Sequence, residues 1–401
     1  MEIISERLQN ISESETLAMT RKARELADQG FNVINLSIGE PDFNTPVFIK
    51  NAAIQAINEN KTHYPPVSGY KELRTAISGK FKRDNNLDYQ PEQIVVSCGA
   101  KQSIANAMLC LINPGDEVIV PVPYWVSYKE IIKLANGEAV YIPTTINNDF
   151  KITPEQLEAA ITPKTKVLIY SSPCNPTGSV YSKEELLGIA EVIAKHKNIF
   201  VISDEIYELI NFGGQHESIA QFDFIKDQVI TINGVSKGFA MTGWRVGYLG
   251  APVVIAKACD KLQGQITSAT SSISQYAALE ALLTDPATCP DIHEMVKIFN
   301  QRRSLVLDML KEISGIKTNL PKGAFYVFPN VSYYYGKKNG PYVINNANDL
   351  CMYILEKVHV ALVPGNAFGN PNCVRLSYAT SKELLIEAIN RIKKALNLLK
   401  K

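Results

Sequence analysis

The stretch "QVITINGVSKGFAMTGWRVGYLGA", residues 228–251, holds two apolar runs, 228–234 and 246–251, around a loop with one lysine and one arginine. Each run is rich in β-branched or aromatic residues and ends on glycine or small residues, which predicts strands. The loop between them carries Ser236, Lys237 and Arg245 among small neighbours. Most lysines are surface charges. Lysine is also the side chain whose neutral amine attacks a carbonyl, which arginine, always protonated, cannot do.

Upstream, the same kind of run recurs at 93–98, 117–122, 138–143, 166–172 and 199–204, with helical patterns at 101–112, 124–136 and 182–197 between several of them. Apolar strands alternating with helices predict an α/β fold whose mostly parallel central sheet is covered on both faces. The last third changes character. A long amphipathic helix near 291–314 precedes "GAFYVFPNV", a helix over 347–358, a strand over 375–379 and a final helix from 381. The expected division is a large domain over 46–290 and a smaller α+β domain built from 1–45 and 291–401.

Composition narrows the function classes. The chain has 401 residues, 46% hydrophobic, with a net charge of +1, so no broad field recruits nucleic acid or anionic membrane. The polar N-terminus shows no signal peptide, and no apolar run is long enough for a membrane span. Seven cysteines without a C-x-x-C pair suit a cytoplasmic protein with reduced thiols, and five scattered histidines lack metal-ligand spacing, so no metal is expected. The N-x-S sequons at Asn10 and Asn330 carry no meaning without secretion. "GWRVGYLG" spaces its glycines loosely like a dinucleotide loop but runs from a turn into a strand.

Ligands of open α/β sheets bind beyond the carboxyl ends of the strands. After 93–98, Gly99, Ala100 and Lys101 open a helix whose free N–H groups suit an anion. After 117–122 comes Trp125, which either fills core or stacks on a flat ligand. After 166–172, "PCNPTG" is a rigid turn presenting Asn175, otherwise an ordinary turn asparagine. After 199–203 come Asp204 and Tyr207; the plain reading of Asp204 is a helix N-cap. Arg245 offers a planar fork for phosphate. Anion donors, an aromatic plane, an acid, a phenol and an amine at one sheet edge are the parts needed to hold pyridoxal phosphate.

With these residues in place the chain resembles the class I aminotransferases of pyridoxal-phosphate fold type I, most closely the bacterial aspartate aminotransferase subgroup. "SKGFAMTGWRVGY" resembles the lysine signature. "NLSIGEPDF" (35–43), "YPPVSGYKELR" (64–74), "PCNPTG" (173–178), "SDEIY" (203–207) and "VRLSYA" (374–379) match its other blocks in order.

The resemblance implies that Lys237 forms the Schiff base, Asp204 pairs with the pyridine nitrogen, and Tyr207 and Asn175 reach the ring's phenolic oxygen. It implies that Trp125 stacks on the ring, and that Gly99, Ala100, Lys101, Ser236 and Arg245 hold the phosphate. Tyr64 would serve the other subunit of a homodimer with shared sites. Arg375, in isolation an ordinary edge-strand residue, would clamp the α-carboxylate with Gly39 and Asn175, and Lys101 and Thr16 would read the distal carboxylate. Gly234 departs from relatives with a phosphate-binding serine there, and Ser12 from those that use prephenate and carry a basic residue. The implied function is ping-pong transfer of an amino group from L-aspartate to 2-oxoglutarate. The alternatives are an aromatic, alanine or prephenate aminotransferase, or a carbon–sulfur β-lyase. A ligand-sensing regulator on the same scaffold would need a DNA-binding module, for which the 45 residues before the sheet leave no room.

Overall fold

In a computed structural model, which describes residues 3–13 and 15–401, all seven apolar runs join one sheet. Its strands, numbered along the chain, are β1 (Ile94–Ser97), β2 (Glu117–Val122), β3 (Glu138–Pro143), β4 (Thr165–Ser171), β5 (Phe200–Asp204), β6 (Val229–Gly234) and β7 (Gly247–Gly250). Their spatial order is β1-β7-β6-β5-β4-β2-β3. Pairing is parallel from β3 across to β6, whereas β7 runs antiparallel to both neighbours. The reason lies in the connection 235–246. It contains one short 3-10 turn, Thr242–Trp244, and no helix to carry the chain back for a parallel crossover. The other six strands therefore point the same way, and their carboxyl ends share one edge.

Side chains alternate between two cores. Leu168, Val201 and Val229 pack on one face, and Val167, Ile169, Ile202 and Ile230 on the other. Burial on both faces is why these runs read as continuously apolar. A third core contains Phe299, Leu307, Leu350, Leu385 and Ile389 together with Met19, Ala23, Ile34 and Leu36. Ile34–Asn35 pairs in parallel with Val360–Ala361, which ties the N-terminal segment to the C-terminal third.

Two expectations need correction. The strand Val374–Ser377 is the central member of a three-stranded sheet between Val363–Pro364 and Tyr326–Val327, so Arg375 is not an edge residue. The helix expected over 124–136 covers only Ser127–Leu134, because the Tyr124 N–H bonds the Phe368 carbonyl instead of opening a helix.

Beside the end of β5 lies a buried ionic cluster. Lys80 meets Glu208 and Asn85, and Glu205 accepts from His216, Ser203 and Ser218.

Candidate active site

The carboxyl ends of the parallel strands open into a cavity of about 250 Å³. Asn175 follows β4, Asp204 ends β5, Tyr207 lies three residues beyond it, and Ser236 and Lys237 follow β6; all line the cavity. Trp125 comes from the turn after β2, and Ala100 and Lys101 from the start of the helix Ala100–Leu111 after β1. Arg375 reaches in from the C-terminal sheet.

Lys237 is half-buried, and its Nζ donates to the Gly39 carbonyl at 2.5 Å. Burial pulls its ammonium down to about 8, with Arg245 and Arg375 adding to the effect and Glu40 opposing it. The neutral amine is thereby accessible near neutral pH, which a surface lysine does not offer. Glu40 is held by Thr242, whose hydroxyl donates to it at 2.9 Å.

Asp204 is not a helix N-cap; a run of turns follows it. Its carboxylate accepts from the Tyr128 hydroxyl at 2.7 Å and, more weakly, from the Ile206 N–H at 3.4 Å. Burial pushes the carboxyl up to about 6 even with those bonds. A buried carboxylate held by neutral donors is poised for a cation brought by a ligand.

The opposite requirement holds at two other places. The N–H groups of Ala100 and Lys101 lie in the first helical turn, beyond the reach of any carbonyl of their own helix. The backbone is shaped for this approach. A Cβ on Gly247 would overlap the Ala100 nitrogen, and one on Gly99, which has φ +83°, would overlap the Arg245 guanidinium. Arg245 itself adopts φ 57°, an uncommon conformation for a side-chain-bearing residue, and donates to the Thr242 carbonyl at 3.0 Å.

Arg375 is the second anion site. It is 2% exposed and donates to Asn175 Oδ1 at 3.0 Å and to the Ser37 carbonyl at 2.6 Å, while its Nε has no partner. Both bonds go to neutral acceptors, so the charge stays available to a carboxylate. Lys101 lies 5.1 Å over the Trp125 ring, and burial followed by Arg245 lowers its pKa. Thr16 lines the same cavity with an unpartnered Oγ1. The whole suits a flat ligand with an anion at one end, a ring cation at the other and a carbonyl near Lys237, plus a second molecule bearing carboxylates.

Thr16, Gly39, Ala100, Lys101, Trp125, Asn175, Asp204, Tyr207, Ser236, Lys237, Arg245 and Arg375 thus line one cavity. Gly99 stands behind them against Arg245. Tyr64 lies outside and is 97% exposed. Gly39 has a second use, since its carbonyl receives Lys237. A Cβ at Gly234 would stand 2.9 Å from the Val246 carbonyl oxygen, so this backbone leaves little room for a serine. The Ser12 N–H bonds Glu130 at 3.1 Å.

Sequence reasoning missed Tyr128, Tyr326 and Thr242. Tyr128 had a signal, falling one helical turn after Trp125 in "PYWVSY". Tyr326 had none, because only tertiary packing brings it to Tyr207.

Comparison with known proteins places the site in context. Residues 32–392 match the family described as Aminotransferase class I and II. The chain is 49% identical over 395 residues to a Petunia hybrida bifunctional aspartate aminotransferase and glutamate/aspartate-prephenate aminotransferase, covering 98% of this chain and 82% of that protein. It is 45% identical over 393 residues to a Bacillus subtilis aspartate aminotransferase, covering 98% of each. The crystal structure of an aspartate aminotransferase from Rhizobium meliloti superimposes with a TM-score of 0.96 at 41% identity, covering 100% of both chains.

Proposed function

Because the chain belongs to the class I and II aminotransferases, a family of pyridoxal-phosphate enzymes, we propose that it moves the amino group of L-aspartate to 2-oxoglutarate. The observation that carries the substrate assignment is a pair of cations, the buried Arg375 and Lys101, lining one cavity with the Lys237 amine. An amino acid with an apolar side chain would bring no carboxylate to Lys101 and would press an apolar group against its charge. Both partners of the reaction, aspartate and 2-oxoglutarate, carry two carboxylates.

Bound pyridoxal phosphate supplies a carbonyl for amine exchange and a protonated ring that draws electrons from the substrate Cα. Lys237 provides the amine that holds it and moves the proton at the substrate Cα. Asp204, kept in place by Tyr128, would stabilise the proton on the ring nitrogen. Tyr207 and Asn175 would serve the phenolic oxygen, and Trp125 would stack on the ring. The Ala100 and Lys101 N–H groups, Ser236 and Arg245 hold the phosphate. Arg375 grips the α-carboxylate, with Gly39 and Asn175 beside it, while Lys101 and Thr16 meet the distal one.

Tyr64 completes the phosphate site of a second copy in a homodimer. Its exposure accords with this, as do the exposed apolar residues Val47, Ile54, Ile57 and Leu283 on the neighbouring helices Val47–Asn58 and Ser272–Leu283. Residues 46–290 act as the large domain and 1–45 with 291–401 as the small one. Free cysteines, and the absence of a membrane-crossing helix among the described residues, accord with a cytoplasmic setting. Prephenate is the second reading, favoured by the bifunctional Petunia relative; against it, Ser12 supplies no cation and sits beside the acidic Glu130.

Steady-state kcat/KM for aspartate, tyrosine and alanine with 2-oxoglutarate, and for prephenate with an amino donor, tests the proposal. Aspartate should exceed tyrosine and alanine, and Lys101→Ala should erase that margin. A Lys101→Ala enzyme with unaltered preference would refute the dicarboxylate argument.

A further inference from the structure

We propose that Tyr326 is a positioning residue with two separable halves: its hydroxyl aims the Tyr207 proton at the cofactor, and its ring holds the Arg375 guanidinium ready for a carboxylate. This rests on the cofactor reading above.

The backbone register creates the contact. Tyr326 pairs with Ser377 across the antiparallel strands Tyr326–Val327 and Val374–Ser377. Arg375 lies two residues before Ser377, hence on the same face and diagonal to Tyr326. The guanidinium carbon stands 4.6 Å from the Tyr326 ring centroid. Asn175 and Ser37 fix two of its nitrogens, and the ring fixes its plane. Both residues are almost wholly buried, where a cation over an aromatic face is stronger than at a surface.

The other end of the same side chain meets Tyr207, with hydroxyl oxygens 2.9 Å apart. The two phenols carry two protons, and one lies in their shared bond. If Tyr207 donated to Tyr326, it would have nothing left to give the cavity. With Tyr326 as donor, the Tyr207 proton is free to point at a cavity oxygen, and each donation strengthens the next. The Arg375 charge acts on both phenols, so the direction is set by the cavity oxygen that takes up the Tyr207 proton. Gly39 leaves the space: a Cβ there would stand 3.1 Å from the Tyr326 hydroxyl.

The test separates the halves. Wild-type protein, Tyr326→Phe, Tyr326→Leu, Tyr207→Phe and the Tyr207→Phe, Tyr326→Phe double variant are reconstituted with pyridoxal phosphate. The pH midpoint of the cofactor's visible absorbance and the Kd for the dicarboxylate maleate are then measured. A weaker Tyr207 donor leaves more electron density on the phenolic oxygen for the adjacent nitrogen's proton. Tyr326→Phe should therefore raise the midpoint by about half a unit, the scale of one neutral hydrogen bond. It should add nothing in a Tyr207→Phe background. Maleate affinity should stay within about twofold in Tyr326→Phe and fall about tenfold in Tyr326→Leu, which removes the ring. A wild-type midpoint in Tyr326→Phe, or a shift that persists without the Tyr207 hydroxyl, overturns the first half. Full maleate affinity in Tyr326→Leu overturns the second. Failure of the wild-type protein to develop any visible band would instead overturn the cofactor assignment.

Discussion

Replacing Asp204 with Asn should make the cofactor-free protein more stable at pH 8, although it removes the group proposed to serve the ring nitrogen. Burial pushes this carboxyl up to about 6 from an ordinary 3.8. The folded state therefore prefers the protonated acid. That contribution to stability is complete below about pH 4 and is lost as pH rises through about 6. A shift of about 2 units makes ionised Asp204 cost about 3 kcal/mol at pH 8. Asn retains an acceptor for Tyr128 but loses the 3.4 Å contact from the Ile206 N–H, a weak bond whose removal offsets part of the gain. For a chain of 401 residues the unfolding entropy is about 0.8 kcal/mol per kelvin near 60 °C. The net of about 2.5 kcal/mol then moves the melting midpoint by about 3 °C. Calorimetry of cofactor-free wild type and Asp204→Asn at pH 8 and pH 4.5 reads this directly. The variant should melt about 3 °C higher at pH 8, with the gap shrinking to about 1 °C or less at pH 4.5. An offset equal at both pH values, or a variant that melts lower at pH 8, would refute the reasoning.

Three further outcomes follow from the same geometry. Tyr128→Phe removes a 2.7 Å bond to a buried carboxylate, worth about 1.5–3 kcal/mol, so pyridoxal-phosphate affinity measured by titration calorimetry should fall about tenfold or more; unchanged affinity contradicts this. Arg375→Lys cannot hold Asn175, Ser37 and a carboxylate in one plane, and kcat/KM for aspartate should drop at least about 100-fold with the circular dichroism spectrum preserved. Lys80→Met strands the buried Glu208 carboxylate, whose pKa the Lys80 charge otherwise lowers against burial, and should cost about 3–5 kcal/mol in denaturant unfolding; a loss under about 1 kcal/mol would show the cluster relaxes.

The sheet was legible because its strands are buried on both faces and flanked by turn residues, so each apolar run marks itself. The reversal of β7 was not part of that pattern. It follows from the lack of a helix in 235–246, a property of the connection and not of the strand. Site residues that directly follow strands, such as Lys237, Asp204 and Asn175, could be found by walking the strand ends. Arg375 could not, since it enters from another sheet, and only the resemblance raised it from an ordinary strand residue. Tyr128 was overlooked although its spacing after Trp125 could have flagged it, whereas Tyr326 left no signal. The importance of each lies in a single hydroxyl contact, to Asp204 and to Tyr207.

The central claim is that the amine at position 237, at the carboxyl end of β6, is the attachment point for pyridoxal phosphate. Borohydride reduction of the reconstituted protein, proteolysis and mass spectrometry of the peptides test it most directly. The account expects one pyridoxyl adduct per chain, on Lys237. An adduct on Lys101 or on surface lysines, with residue 237 unmodified, would contradict it.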